Sequence, residues 1–128
     1  MTLIYLAEDD MDDQELLADT FNEINPDVQL KAFSTGKNIL KHLENLPETH
    51  MPSMIILDYN IPEMNGAEIL KQLERDRYQQ VVKLVWSTSD SPTYKNTCLS
   101  LGAAAYFVKP SNISGLQQMA KQMLSFVN

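Results

Sequence analysis

A single cysteine, Cys98, is the whole thiol content of this 128-residue chain. An internal disulfide is therefore excluded, and Cys98 reads as a small core residue on a helix face. No apolar stretch approaches the roughly 20 residues that a membrane-spanning helix needs. The N-terminus also lacks a basic stretch followed by a long apolar segment and a small-residue cleavage site. No secretory signal is expected, and the cytoplasm is the expected location. Positive charge is scarce: 10 Lys and Arg stand against 17 Asp and Glu, for a net charge of −7. No Lys/Arg cluster forms a patch that could displace counterions, so neither direct nucleic-acid binding nor a membrane partner is expected. Repeats, low-complexity tracts and linkers are missing as well. What is present, 44% apolar and 21% charged residues, suits a globular fold, and the length suits one domain spanning residues 1–128 with no separate output module.

Apolar runs of about five residues alternate with segments of helical period, which argues for repeated βα units and a parallel sheet. Strands are predicted near 3–7, 28–33, 54–57, 82–86 and 104–108. Several are apolar nearly throughout, as expected where helices cover both faces. Val28-Gln29-Leu30-Lys31-Ala32-Phe33 alternates instead and is the candidate edge strand. Helical stripes appear as Leu17, Phe21 and Ile24, then Ile39, Leu43 and Leu46, then Ile69, Leu70 and Leu73, and finally Leu116, Ala120, Met123 and Val127. Asn25-Pro26-Asp27 should stop the first helix. Pro92 suits the first turn of the fourth and Gly102 its C-terminal cap. Met119 and Met123 fall at helical spacing and read as core.

Polar groups close four of these predicted strands, and in an open parallel sheet ligands bind beyond the carboxyl ends of the strands. The first gives Glu8 and Asp9, the third Asp58, the fourth Ser87 and Thr88, the fifth Lys109. Any one of these alone is an ordinary strand end; together they suggest a crevice. Two carboxylates about 4 Å apart at an effective dielectric near 20 repel by roughly 4 kcal/mol. Lys109 offers one compensating charge, so a divalent cation is the natural complement, and hard oxygen donors suit Mg2+. A carboxylate beside a divalent ion, an ammonium and a hydroxyl is equipped to capture a phosphoryl group covalently, with Lys109 and Ser87 facing its oxygens.

These residues resemble the receiver domain of two-component response regulators, of the stand-alone single-domain type, over essentially the whole chain. The resemblance is carried by Glu8-Asp9 after the first strand, Asp58-x-Asn60-x-Pro62-x-x-x-Gly66, the hydroxyl of Ser87, and Tyr106-x-x-Lys109-Pro110. It implies an α/β fold, a flavodoxin-like, doubly wound parallel sheet of five strands in order 2-1-3-4-5 with five helices. It further implies that Asp58 is the phosphoacceptor, charged by a histidine kinase, a histidine phosphotransfer protein or a small phosphodonor. Asp9 and Asp58 would ligate Mg2+ directly, Glu8 through a bound water, and Asn60 through its backbone carbonyl. Ser87 and Tyr106 would form the switch pair, Thr88 would lie at the phosphoryl site, and Lys109 would contact the phosphoryl group, its bond to Pro110 being cis. Asn60 and Ser89 would tune hydrolysis, and Pro62, Gly66 and Pro110 would be structural.

Glu8 and Ser87 stand where the family most often has Asp and Thr, and Thr88 where a smaller residue is usual. Asp10, Asp12 and Asp13 are assigned to solvation and to the N-terminus of the first helix, outside the metal site. His42 and His50 read as surface residues, and Tyr59 as either a shaper of access to Asp58 or an exposed loop aromatic. The implied function is a phosphorylation-activated signalling switch rather than an enzyme. Its readout surface would span roughly residues 92–127, and its output would pass to an unknown downstream protein, through a relay step or through self-association as a homodimer. Two alternatives are a haloacid-dehalogenase-like phosphatase and a degenerate receiver that only binds partners. The first places its nucleophile after the first strand and needs an Asp where this chain has Asn60.

Overall fold

Five short segments become one parallel sheet in the computed structural model, which describes residues 1–127. The strands are β1 (Thr2–Ala7), β2 (Val28–Phe33), β3 (Met54–Asp58), β4 (Val82–Ser87) and β5 (Ala105–Val108), within one residue of expectation at every end. Helices α1 (Met11–Ile24), α2 (Gly36–Glu44), α3 (Gly66–Gln72), α4 (Pro92–Ser100) and α5 (Ile113–Leu124) connect and follow them. The sheet order is β2-β1-β3-β4-β5, so the flavodoxin-like order holds and β2 is an edge. Order reverses between β1 and β3, which opens a crevice at their carboxyl ends.

Strand side chains alternate between faces, and each face has its own core. Tyr5, Ala7, Ile55, Leu57 and Val85 pack with Ile39 and Leu43 of α2, Ile69 and Leu70 of α3, and Cys98 of α4. Ile4, Leu6, Ile56, Leu84 and Trp86 pack with Leu17 and Phe21 of α1 and with Leu116, Met119, Ala120 and Met123 of α5. Met119, Met123 and Cys98 are thus buried core residues. Among the described residues, no helix is long and apolar enough to cross a membrane.

The helix ends follow the sequence signals. Asp10 caps α1 by accepting from the Asp13 N–H, and α1 ends at Asn25 before Pro26. Ser91 caps α4 with Pro92 in the first turn, and Gly102 follows that helix at φ 104°, a left-handed conformation that glycine adopts without strain. Asn65 and Glu68 cap α3 reciprocally.

Gly66, the first residue of α3, packs against the carboxyl end of β3. A Cβ placed there would lie 3.1 Å from Tyr59 Cα and 3.3 Å from the Asp58 carbonyl oxygen, and its N–H donates to the Tyr59 carbonyl at 2.8 Å. Both obstructing atoms are backbone, so the loop itself must move to admit a side chain. Gly66→Ala is therefore expected to destabilise the fold by about 1–3 kcal/mol, read as a lower urea midpoint. An unchanged midpoint would show that the loop yields freely.

Candidate functional site

Register brings the site together. Ala7 pairs with Leu57, Asp58 with Trp86, and Ser87 with Val108. Glu8, Asp58, Ser87 and Lys109 therefore stand side by side at the carboxyl edge. Backbone bonds extend the ladder into this edge: the Glu8 N–H donates to Phe33 O (2.9 Å), Tyr59 N–H to Trp86 O (3.1 Å) and Lys109 N–H to Ser87 O (2.7 Å).

Strand alternation then sorts the side chains. Glu8, Asp58 and Lys109 share the parity of Leu6, Ile56 and Phe107 and face α1 and α5; Ser87 shares that of Val85 and faces the opposite core. On the first side, Lys109 Nζ donates to Glu8 Oε1 at 2.7 Å, Asp13 Oδ2 at 2.9 Å and Asp58 Oδ2 at 3.0 Å. The ammonium also lies 4.6 Å from the centre of the Trp86 ring. Glu8 is fully buried and Asp58 nearly so, while Asp9 is exposed. Asp58 Oδ1 accepts from the Asn60 N–H at 3.0 Å, and Glu8 Oε2 from the Asp10 N–H at 3.1 Å.

On the other side, Ser87 Oγ accepts from the Ser89 N–H at 3.0 Å, and the Tyr106 hydroxyl donates to the Ser89 carbonyl at 2.7 Å. Ser87 and Tyr106 are thus joined through Ser89 rather than directly. Thr88 is exposed beside them. Tyr59, next to Asp58, is half-buried and stacks on Tyr94 of α4 with ring centroids 4.2 Å apart.

Three sequence expectations are corrected here. The Lys109–Pro110 bond is not cis, since no cis peptide bond occurs among the described residues. Trans is the lower-energy isomer by about 0.5–1 kcal/mol. Asp13 does more than solvate the helix start, since it accepts from Lys109. His42 is no free surface residue: it is half-buried, with Nε2 3.1 Å from the Tyr5 hydroxyl and its ring packed on Tyr5 and Phe33. His50 is exposed. Neither histidine belongs to the crevice. A charge six residues beyond a strand end could not be assigned to the site from spacing alone.

Burial is the main force on Glu8, raising its carboxyl to about 7 with help from Asp58, against the lowering effects of Lys109 and the Asp10 N–H. For Lys109, burial disfavours the ammonium, but the bonds from Glu8, Asp13 and Asp58 outweigh it and raise its pKa. One secure positive charge therefore faces an excess of carboxylate. Carboxylate oxygens of Glu8, Asp9 and Asp58 all lie within 4.8 Å of one another. Ligand oxygens at about 2.1 Å from a six-coordinate magnesium ion stand about 3 to 4 Å apart. The observed 4.8 Å bound is slightly wider than that range, and hard oxygen donors fit such a cation.

Comparisons with known proteins agree with this geometry. A family model described as the response regulator receiver domain matches residues 4–121. The Two-component response regulator ORR5 of Oryza sativa subsp. japonica is 33% identical over 97 residues, which is 75% of this chain and 70% of that protein. Among solved structures, the phosphorylated cyanobacterial phytochrome response regulator RcpA superposes with a TM-score of 0.88 at 24% identity, covering 98% of this chain and 93% of that one. The Mn(2+)-bound form of response regulator Rcp1 gives 0.86 at 24% identity, covering 98% and 94%. At that identity the structural likeness speaks to the fold.

The raised Glu8 carboxyl has a measurable consequence. Folded Glu8 holds its proton up to about pH 7, whereas the ordinary value is 4.5. The folded state thus binds more protons than the unfolded state between these values, and stability falls as pH rises across the window. In chelator-treated protein, urea midpoints are expected to fall from pH 4.5 to 7. Glu8→Gln should flatten that slope; an equally steep profile in the variant would assign the proton to another group.

Proposed function

Because this chain belongs to the response regulator receiver domain family, we propose that it is a phosphorylation-activated switch of a two-component or phosphorelay system, with Asp58 as phosphoacceptor. The observation that carries this reading is the buried Asp58 carboxylate bridged to Glu8 by one ammonium at the point where strand order reverses. The family is regulatory, and its chemistry is confined to the protein's own phosphorylation and dephosphorylation. The phosphatase alternative draws no support from the relatives reported above, which are response regulators.

In the step proposed, an Asp58 oxygen attacks phosphorus on a phosphohistidine of a histidine kinase or histidine phosphotransfer protein. The P–N bond breaks, its electron pair returns to the ring nitrogen, and the imidazole leaves neutral when its other nitrogen carries a proton. With acetyl phosphate, a P–O bond breaks and acetate leaves. When bound, Mg2+ held by Glu8, Asp9, Asp58 and the Asn60 carbonyl supplies charge neutralisation for the phosphoryl oxygens. Lys109 donates to one phosphoryl oxygen, and the Ser87 hydroxyl, beside Thr88, donates to another. Asn60 and Ser89 border the path of attacking water and set the lifetime of the acyl phosphate.

The response travels on the opposite face. Ser87 exchanges its contact with the Ser89 N–H for the phosphoryl group, and Tyr106, tied to the Ser89 carbonyl, follows. The surface so altered is α4, β5 and α5. Tyr59 adds a second link, since its stack on Tyr94 connects the acceptor loop to the first turn of α4.

Two measurements test this reading. Acetyl phosphate with magnesium should add the mass of one phosphoryl group to the wild type and none to Asp58→Asn; an unchanged gain in the variant places the acceptor elsewhere. With beryllofluoride, amide shifts should spread from Asp58 through Ser87 and Ser89 to Tyr106, and shifts confined to residues 58–66 would refute the switch.

A further inference from the structure

The three N–H bonds of the Lys109 ammonium meet three carboxylates, from Glu8, Asp13 and Asp58. Two of these acceptors change partners in the reading above, on which this inference rests. Asp58 gives an oxygen to phosphorus, and Glu8 belongs to the carboxylate cluster suited to a cation. Asp13 lies outside that cluster. Its side chain is 31% exposed, against 1% for Glu8 and 8% for Asp58, and it comes from the first turn of α1 rather than from a strand end.

The placement of Asp13 is fixed locally. Asp10 caps α1 through the Asp13 backbone N–H at 3.1 Å, holding the residue at the start of the helix. The helix N-terminus favours a carboxylate there. That preference alone would be satisfied by a side chain turned to solvent, as the neighbouring exposed Asp12 shows. Asp13 instead reaches across to β5 and meets a lysine 96 positions away at 2.9 Å.

We propose that Asp13 is a positioning residue for phosphoryl transfer: it retains the Lys109 ammonium beside Asp58 while the other two carboxylates exchange partners. Without it, the lysine stem would rest only on the Trp86 ring and on groups engaged elsewhere. The freed ammonium would sample solvent, and its donation to the phosphoryl oxygen would weaken. A purely structural role would change stability without singling out Lys109.

The test compares Asp13→Ala with Asp12→Ala, which removes the same charge from the same turn without touching Lys109. At saturating magnesium, Asp13→Ala should slow phosphorylation by acetyl phosphate about fivefold. Asp13→Asn, which keeps an acceptor oxygen, should recover part of the rate, and Asp12→Ala should stay close to wild type. In metal-free protein, nitrogen-15 spectra of the lysine ammonium groups should show faster hydrogen exchange at Lys109 in Asp13→Ala but not in Asp12→Ala. Wild-type rate and exchange in Asp13→Ala overturn the proposal, as do equal losses in the Asp12 variant, which would assign the effect to net charge. A wild-type protein that acquires no phosphoryl group refutes the receiver reading itself, whereas a fast, unaltered wild type beside an unaffected Asp13→Ala refutes only the positioning role.

Discussion

The carboxylates of Glu8, Asp13 and Asp58 converge on one ammonium, with Asp9 close behind, and this imbalance of charge governs the carboxyl end of the sheet. Repulsion of roughly 4 kcal/mol between two such groups is comparable to much of a small domain's net stability. A fold that tolerates it must either hold a proton or admit a cation. Burial favours the first at Glu8, whose carboxyl is raised to about 7. Either solution lowers the net negative charge beside Asp58, which the proposed phosphoryl transfer would require.

The two-residue period of the strands divides labour across the sheet. Even positions of β1 and β3 and odd positions of β5 turn the charged groups toward α1 and α5. Ser87, one residue beyond Trp86, turns the hydroxyl toward the core that holds α2, α3 and α4. The charged cluster and the serine hydroxyl are therefore adjacent along the sheet edge but lie against different helices. Asp58 stands between them, with Oδ2 on the lysine side and Oδ1 held by the Asn60 N–H. The Ser89 backbone and the Tyr59–Tyr94 stack carry the connection to α4 and β5.

Much of this was legible in the chain before any coordinates. Apolar runs marked four strands and period-two alternation the fifth, β2, while polar residues at four strand ends marked the crevice, because these signals are local. Contacts between distant elements were less so. Whether Asp13 faces solvent or Lys109 depends on the direction α1 takes after its Asp10 cap and on the length of a side chain from β5. The stacking of Tyr59 on Tyr94 depends on how closely α4 approaches the β3–α3 loop. His42 sits on an amphipathic helix as expected, yet Tyr5 and Phe33 from two strands close over it, which helical period alone does not reveal.

Trp86, the chain's sole tryptophan, occupies an unusual station: its ring supports the lysine ammonium from the buried side while its strand partner is Asp58. A cation 4.6 Å from an indole perturbs the excited state of that ring. The native chain thus carries its own optical probe at the charge centre. Any event that draws the ammonium away from the indole will register as a change in intrinsic fluorescence, without a label and in real time.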